Sequence, residues 1–183
     1  MTKMESIQVV LSNAELLYSE QEIDSALEKI AIQLTTEYKG ANPLILCVMT
    51  GSLMTTAHLL AKLSFPLEVD YIHVSRYGSE IKGGEAKWLH EPTISLRDRN
   101  VILIEDIVDE GVTLQLLRNY CVSKGASSVS CATLVEKLDV EKVGEKADYI
   151  GLTVPNRYVF GFGMDYKGFW RNLSSIYAVS DLY

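Results

Sequence analysis

The residue types richest in chemistry lie in one stretch, Val101-Ile-Leu-Ile-Glu105-Asp106-Ile-Val-Asp109-Glu110-Gly111-Val-Thr113. An apolar run ends in two adjacent carboxylates, and a third acid, a glycine and a threonine follow within a short loop. Gly111 permits a positive φ, and Thr113 stands close to where a helix would begin. Free N–H groups and the helix dipole at such a point favour an anion, most often phosphate. Acids beside an anion cradle make sense if a divalent cation or ligand hydroxyls sit between them. On residue types alone, a solvated acidic turn and a ligand site fit equally well. A nucleoside triphosphatase would need G-x-x-x-x-G-K-[ST], which is absent, and a receiver domain carries its acidic pair after the first strand.

These residues must be positioned by alternating strands and helices. Ser19 and Glu22 form a capping box, and Ile23, Leu27, Ile30 and Leu34 give one apolar face, so a helix is expected to about Tyr38. Buried-strand runs follow at Leu44–Met49, Leu67–Val74, Val101–Glu105, Ser127–Val135 and Tyr149–Val154, with a short last strand near Ile176–Val179. Helices are expected at Leu53–Leu63 and Thr113–Ser123, the latter closed by Gly125. Ser75–Asn100, with Gly78, Gly83, Gly84 and Pro92, reads as one long mobile segment. The pattern predicts an α/β fold, a mostly parallel sheet flanked by helices, with ligands outside the carboxyl ends of the strands.

Composition narrows the function classes. The 183 residues carry 24 acidic against 17 basic side chains, a net charge of −7. That balance disfavours a protein whose main task is holding a nucleic acid backbone. Cys47, Cys121 and Cys131 are widely spaced, without a Cys-x-x-Cys, and suit a reducing, cytoplasmic setting. His58, His73 and His90 supply no zinc-ligand spacing. Gly40–Ala61 contains no charged residue, but Thr50-Gly51-Ser52 breaks its apolar run, so no membrane span is expected. No repeat or linker divides the chain, and residues 1–183 read as one domain.

The acidic segment closely resembles the thirteen-residue phosphoribosyl pyrophosphate motif of type I phosphoribosyltransferases. The wider likeness, about Leu44 to Val179, points to the 6-oxopurine branch of hypoxanthine-guanine enzymes. It rests on Val154-Pro-Asn-Arg-Tyr-Val-Phe-Gly-Phe-Gly-Met-Asp-Tyr-Lys-Gly-Phe-Trp-Arg171-Asn. The resemblance implies the type I phosphoribosyltransferase fold, with a hood from about residues 1–20 and 155–183 and a mobile active-site loop. It implies Mg²⁺-dependent purine salvage in the cytoplasm: phosphoribosyl pyrophosphate and hypoxanthine or guanine giving IMP or GMP and pyrophosphate. A homodimer or homotetramer, with no nucleic acid or membrane partner, goes with it.

By the same resemblance, Glu105 and Asp106 bind the ribose hydroxyls, directly or through Mg²⁺, and Asp109 is the general acid/base near purine N7. Asp109, Glu110, Gly111, Val112 and Thr113 cradle the 5′-phosphate. Thr50, Gly51 and Arg171 take pyrophosphate. Lys137 donates to the purine O6, Tyr158 stacks on the base, and Val159 meets its edge. Asp165 serves a second Mg²⁺ and the base 2-position. Arg76 and Tyr77 belong to the mobile loop. Three positions depart from the family pattern: Thr50 replaces a usual cation, Glu110 a usual hydroxyl residue, and Arg76 a frequent serine, so Arg76 is expected to restore cationic charge at loop closure. Two other readings share the fold, a xanthine-preferring enzyme and a ligand-sensing regulator.

Overall fold

The computed structural model describes residues 3–76, 86–138, 140, 141 and 143–180. In chain order the elements are α1 (Lys3–Asn13), β1 (Glu15–Tyr18), α2 (Glu20–Tyr38), β2 (Leu44–Met49), α3 (Leu53–Leu60), β3 (Glu68–Arg76), β4 (Ala86–His90), β5 (Asn100–Val108), α4 (Val112–Ser123), β6 (Ser128–Lys137), β7 (Tyr149–Val154), β8 (Val159–Phe160) and β9 (Ile176–Ala178).

Strands β4-β3-β2-β5-β6-β7 make one six-stranded sheet. Its pairs are parallel except β3 with β4. A second sheet, β1-β9-β8, is antiparallel. Among the described residues no helix is long and apolar enough to cross a membrane.

Local chemistry explains the elements that matter for the site. Ser19 caps α2 as its spacing predicts: its hydroxyl accepts from the Glu22 amide, and the Glu22 carboxylate accepts from the Ser19 amide at 2.9 Å. Ile23, Leu27, Ile30 and Leu34 are all essentially sealed, packing α2 against the main sheet. Residues of β2 and β5 supply both faces of the core, as continuous apolar runs in a covered parallel sheet should. Cys47, Cys121 and Cys131 are free and buried within it.

Three expectations are corrected. Ser75–Asn100 is not one structureless segment: β3 runs through Arg76, and β4 returns antiparallel, with Trp88 opposite Val74 and Arg76 opposite Ala86. The helix predicted to Leu63 stops at Leu60, and Ala61 is its cap. The strand carrying the acidic pair also runs three residues beyond its predicted end, to Val108.

Candidate active site

Glu105 and Asp106 are in register near the carboxyl end of β5, Glu105 lying opposite Thr133 of β6. Burial, reinforced by the neighbouring Asp106, pushes the Glu105 carboxyl well above its ordinary range. Asp106 is also raised by burial, although the Ile107 amide and the Arg171 guanidinium oppose the shift. The Ile107 amide donates to Asp106 Oδ1 at 2.8 Å. Two neighbouring acids, one buried and one half-buried, held upward in this way are the electrostatic setting that a divalent cation relieves. Among the described residues no group of three or more His, Cys, Asp or Glu could hold a metal alone. A cation here would therefore take further oxygens from substrate and water, as Mg²⁺ commonly does.

Beyond β5 the chain turns at Gly111 (φ 80°), which is the N-cap of α4 without any side-chain capping bond. Thr113 thus falls inside the first turn rather than at the cap. The turn forms a cavity of about 320 Å³ lined by Glu105, Ile107, Val108, Asp109, Glu110, Gly111, Val112, Thr113 and Leu114. Glu110 lines it too, but the side chain is exposed.

A second cavity, about 190 Å³, adjoins the first and shares Ile107 and Asp109 with it. Its remaining walls are Asp106, Lys137, Tyr158, Val159, Met164 and Asp165. Lys137, the last residue of β6, donates from Nζ to Asp109 Oδ2 at 2.7 Å. Tyr158 is 52% exposed at the mouth, its hydroxyl donating to the Asp165 carbonyl and its ring edge-on to Tyr166. Val159 is buried in β8 opposite Ala178. One Asp165 oxygen pairs with Arg171 at 2.6 Å, and the other accepts the Gly168 amide.

The Thr50–Gly51 loop closes this arrangement. The Met49–Thr50 peptide bond is cis. A Cβ on Gly51 would sit 1.9 Å from an Asp106 carboxylate oxygen, and one on Gly163 would sit 2.0 Å from the Gly51 carbonyl. The loop is thus pressed between Asp106 and Gly163, where no side chain larger than hydrogen fits. Arg171 donates to the Gly163 carbonyl at 2.6 Å, fastening the same layer.

The structure therefore brings together Thr50, Gly51, Glu105, Asp106, Asp109, Glu110, Gly111, Val112, Thr113, Lys137, Tyr158, Val159, Asp165 and Arg171. Arg76 ends β3, and Tyr77 lies outside the described residues. Sequence reading missed Ile107, Val108, Leu114 and Met164 as wall residues and Gly163 as the support of the loop. The four wall residues look like ordinary core. Gly163 carries a signal, a glycine between two large apolar residues, that only the fold makes readable.

The acidic end of β5 and the two adjoining cavities beside it make up the candidate site. The phosphoribosyl transferase domain family matches residues 13–167, and the chain belongs to that family. Within it, the hypoxanthine-guanine phosphoribosyltransferase of Streptococcus thermophilus is 39% identical over 160 residues, 87% of this chain and 89% of that protein. The crystal structure of a hypoxanthine phosphoribosyltransferase from Staphylococcus aureus superposes with a TM-score of 0.88 at 29% identity. That match covers 94% of this chain and 95% of the other. A hypoxanthine-guanine-xanthine phosphoribosyltransferase superposes at 0.84 with 31% identity, covering 93% and 99%.

Proposed function

We propose that this chain makes IMP and GMP by moving the 5-phosphoribosyl group of phosphoribosyl pyrophosphate onto hypoxanthine or guanine, releasing pyrophosphate. The observation that carries the reading is the pair of adjoining cavities. One is amide-lined and takes the 5′-phosphate; the other is purine-sized, bounded by Lys137, Asp109 and Tyr158, and takes the base.

The chemistry follows from what these side chains can do. The C1′–oxygen bond to pyrophosphate breaks, a purine nitrogen bonds to C1′, and the base loses one proton. Asp109, which accepts from the Lys137 ammonium at 2.7 Å, is the group that takes a proton from the base or holds it at N7. Lys137 is a donor only, so it matches a 6-oxo group and rejects the 6-amino group of adenine. Tyr158 stacks on the base, and the backbone at Val159 meets its edge. Arg171 takes pyrophosphate oxygens with its planar fork, together with the backbone of Thr50 and Gly51. Mg²⁺ held by Glu105, Asp106 and Asp165, jointly with substrate oxygens, would neutralise the leaving group.

The small β1-β9-β8 sheet, with its flanking segments, forms the hood over the base side. A homodimer or homotetramer in the cytoplasm belongs to the same reading.

The test is nucleotide formation from Mg²⁺, phosphoribosyl pyrophosphate and, separately, hypoxanthine, guanine, xanthine, adenine and uracil. IMP and GMP without AMP or UMP are expected. No product from any base, with binding of the sugar pyrophosphate retained, would replace this reading with a ligand sensor.

A further inference from the structure

The cavity proposed for the 5′-phosphate has an acidic wall. Among the described residues no lysine or arginine lines it, while Glu105, Asp109 and Glu110 do. An anion there depends on the Thr113 hydroxyl and on backbone N–H groups, and so on the direction in which the Glu110–Gly111 and Gly111–Val112 peptides face. In a trans peptide the C=O and N–H point opposite ways. Whatever holds those two carbonyls outward aims the Gly111 and Val112 amides inward.

A remote segment holds the Glu110 carbonyl, and it shares the Gly111 carbonyl with the Gln115 amide of α4, which donates to it at 3.0 Å. The Gly144 amide donates to the Glu110 carbonyl at 3.0 Å, and the Glu145 amide donates to the Gly111 carbonyl at 3.2 Å. The two backbones lie in direct contact. A Cβ on Gly144 would meet the Gly111 carbonyl oxygen at 2.4 Å and the Val112 nitrogen at 2.7 Å. A Cβ on Gly111 would meet the Glu145 oxygen at 2.0 Å.

The far end of the segment is anchored to the body of the fold. Arg118 of α4 donates to the Lys146 carbonyl at 3.2 Å and pairs with Asp148 at 2.5 Å. Asp148 also accepts the Cys131 amide of β6 at 2.7 Å. Seven residues separate Arg118 from Gly111, about 10 Å along the helix whose first turn forms the cradle.

We infer that Gly144–Asp148 is a strap that aims the phosphate-binding amides, with Gly144 and Arg118 as positioning residues for the 5′-phosphate. This rests on the proposed function only in naming that phosphate as the anion. No φ in the left-handed region is required at Gly144, so alanine there is opposed by the Gly111–Val112 backbone rather than by its own conformation.

The test compares IMP with inosine, which lacks the phosphate, by calorimetry, beside the KM values for phosphoribosyl pyrophosphate and hypoxanthine. Gly144→Ala should weaken IMP and raise the phosphoribosyl pyrophosphate KM by about tenfold, the scale of one misdirected charge-assisted hydrogen bond. Inosine affinity and the hypoxanthine KM should stay as they are. Arg118→Ala should give a smaller shift with the same split, and Arg118→Lys should recover most of it. If Gly144→Ala does not fold, Arg118→Ala decides by the same split. Equal weakening of IMP and inosine, or unchanged IMP binding in a folded variant, would overturn the inference. Absence of turnover in the parent would instead overturn the proposed function, and ribose 5-phosphate binding to the same variants would still decide the strap.

Discussion

At the scale of single residues, the contact between Lys137 and Asp109 sets the character of the base pocket. On the proposed reading, the ammonium from which Asp109 accepts is also the donor offered to position 6 of a purine, so binding a base means sharing it between two acceptors. Lys137→Gln keeps a donor at the site but loses its charge and adds an acceptor. The kcat/KM with hypoxanthine should fall roughly 10- to 100-fold, the range expected for a charge-assisted hydrogen bond of about 1.5–3 kcal/mol. Discrimination against adenine should narrow, because the amide can accept from a 6-amino group. Steady-state kinetics with both bases checks this, and an unchanged ratio of the two would remove Lys137 from base selection. Glu110, conspicuous in sequence as an acid within an anion cradle, lines the cavity but is exposed.

At the scale of elements, the return of β4 after β3 depends on Asp70. One carboxylate oxygen accepts the Tyr71 amide at 2.7 Å, and the other accepts the amides of Thr93 and Ile94 and the Thr93 hydroxyl. Burial alone would raise this acid, but those donors together outweigh it and hold Asp70 below its usual value. A carboxyl depressed in the folded state adds stability above its unfolded value, and that stability is lost as pH falls through the folded value. Asp70→Asn should therefore cost about 1 kcal/mol at neutral pH, and the gap to the parent should close below about pH 4. Urea unfolding across that range measures it; a gap independent of pH would assign the loss to packing instead. Elements such as α2 and β2 were legible because each advertises itself locally, by the Ser19–Glu22 capping box and by an unbroken run from Leu44 to Met49. β4 was not, because Lys87-Trp-Leu-His90 is short, mixed in polarity and flanked by turn residues, and its strand character comes from pairing with β3. The cradle and the acidic pair were readable from side chains in one stretch. The strap was not, because Gly144 and Glu145 act through main-chain amides and leave no mark on residue type.

At the scale of the whole molecule, the two sheets are not independent. Val159, Ile176 and Ala178 of the small sheet share one buried cluster with Ile23, Leu27 and Ile45 of the main body. The Tyr18 hydroxyl donates to the Thr153 carbonyl at 2.6 Å, and Arg157 pairs with Glu15 and donates to the Val179 carbonyl. The base-side walls and the phosphate-side walls should then unfold together. The two tryptophans report from opposite ends: Trp88 packs in β4 against Tyr120, and Trp170 donates to the Ile7 carbonyl of α1. Fluorescence of Trp88→Phe and Trp170→Phe variants in urea should show each remaining tryptophan changing together with the circular dichroism of the same variant. A Trp170 transition that precedes the loss of secondary structure would instead define a separately folding α1 and C-terminal unit. The buried thiols carry one more consequence. Burial pushes Cys121 up to about 12 and Cys131 well above its ordinary value. At neutral pH almost none of either sulfur is the nucleophilic anion, so an alkylating reagent has nothing to attack until α4 parts from β6. The rate of labelling at Cys121 thus becomes a clock for that opening, read by mass, on a residue that takes no part in turnover.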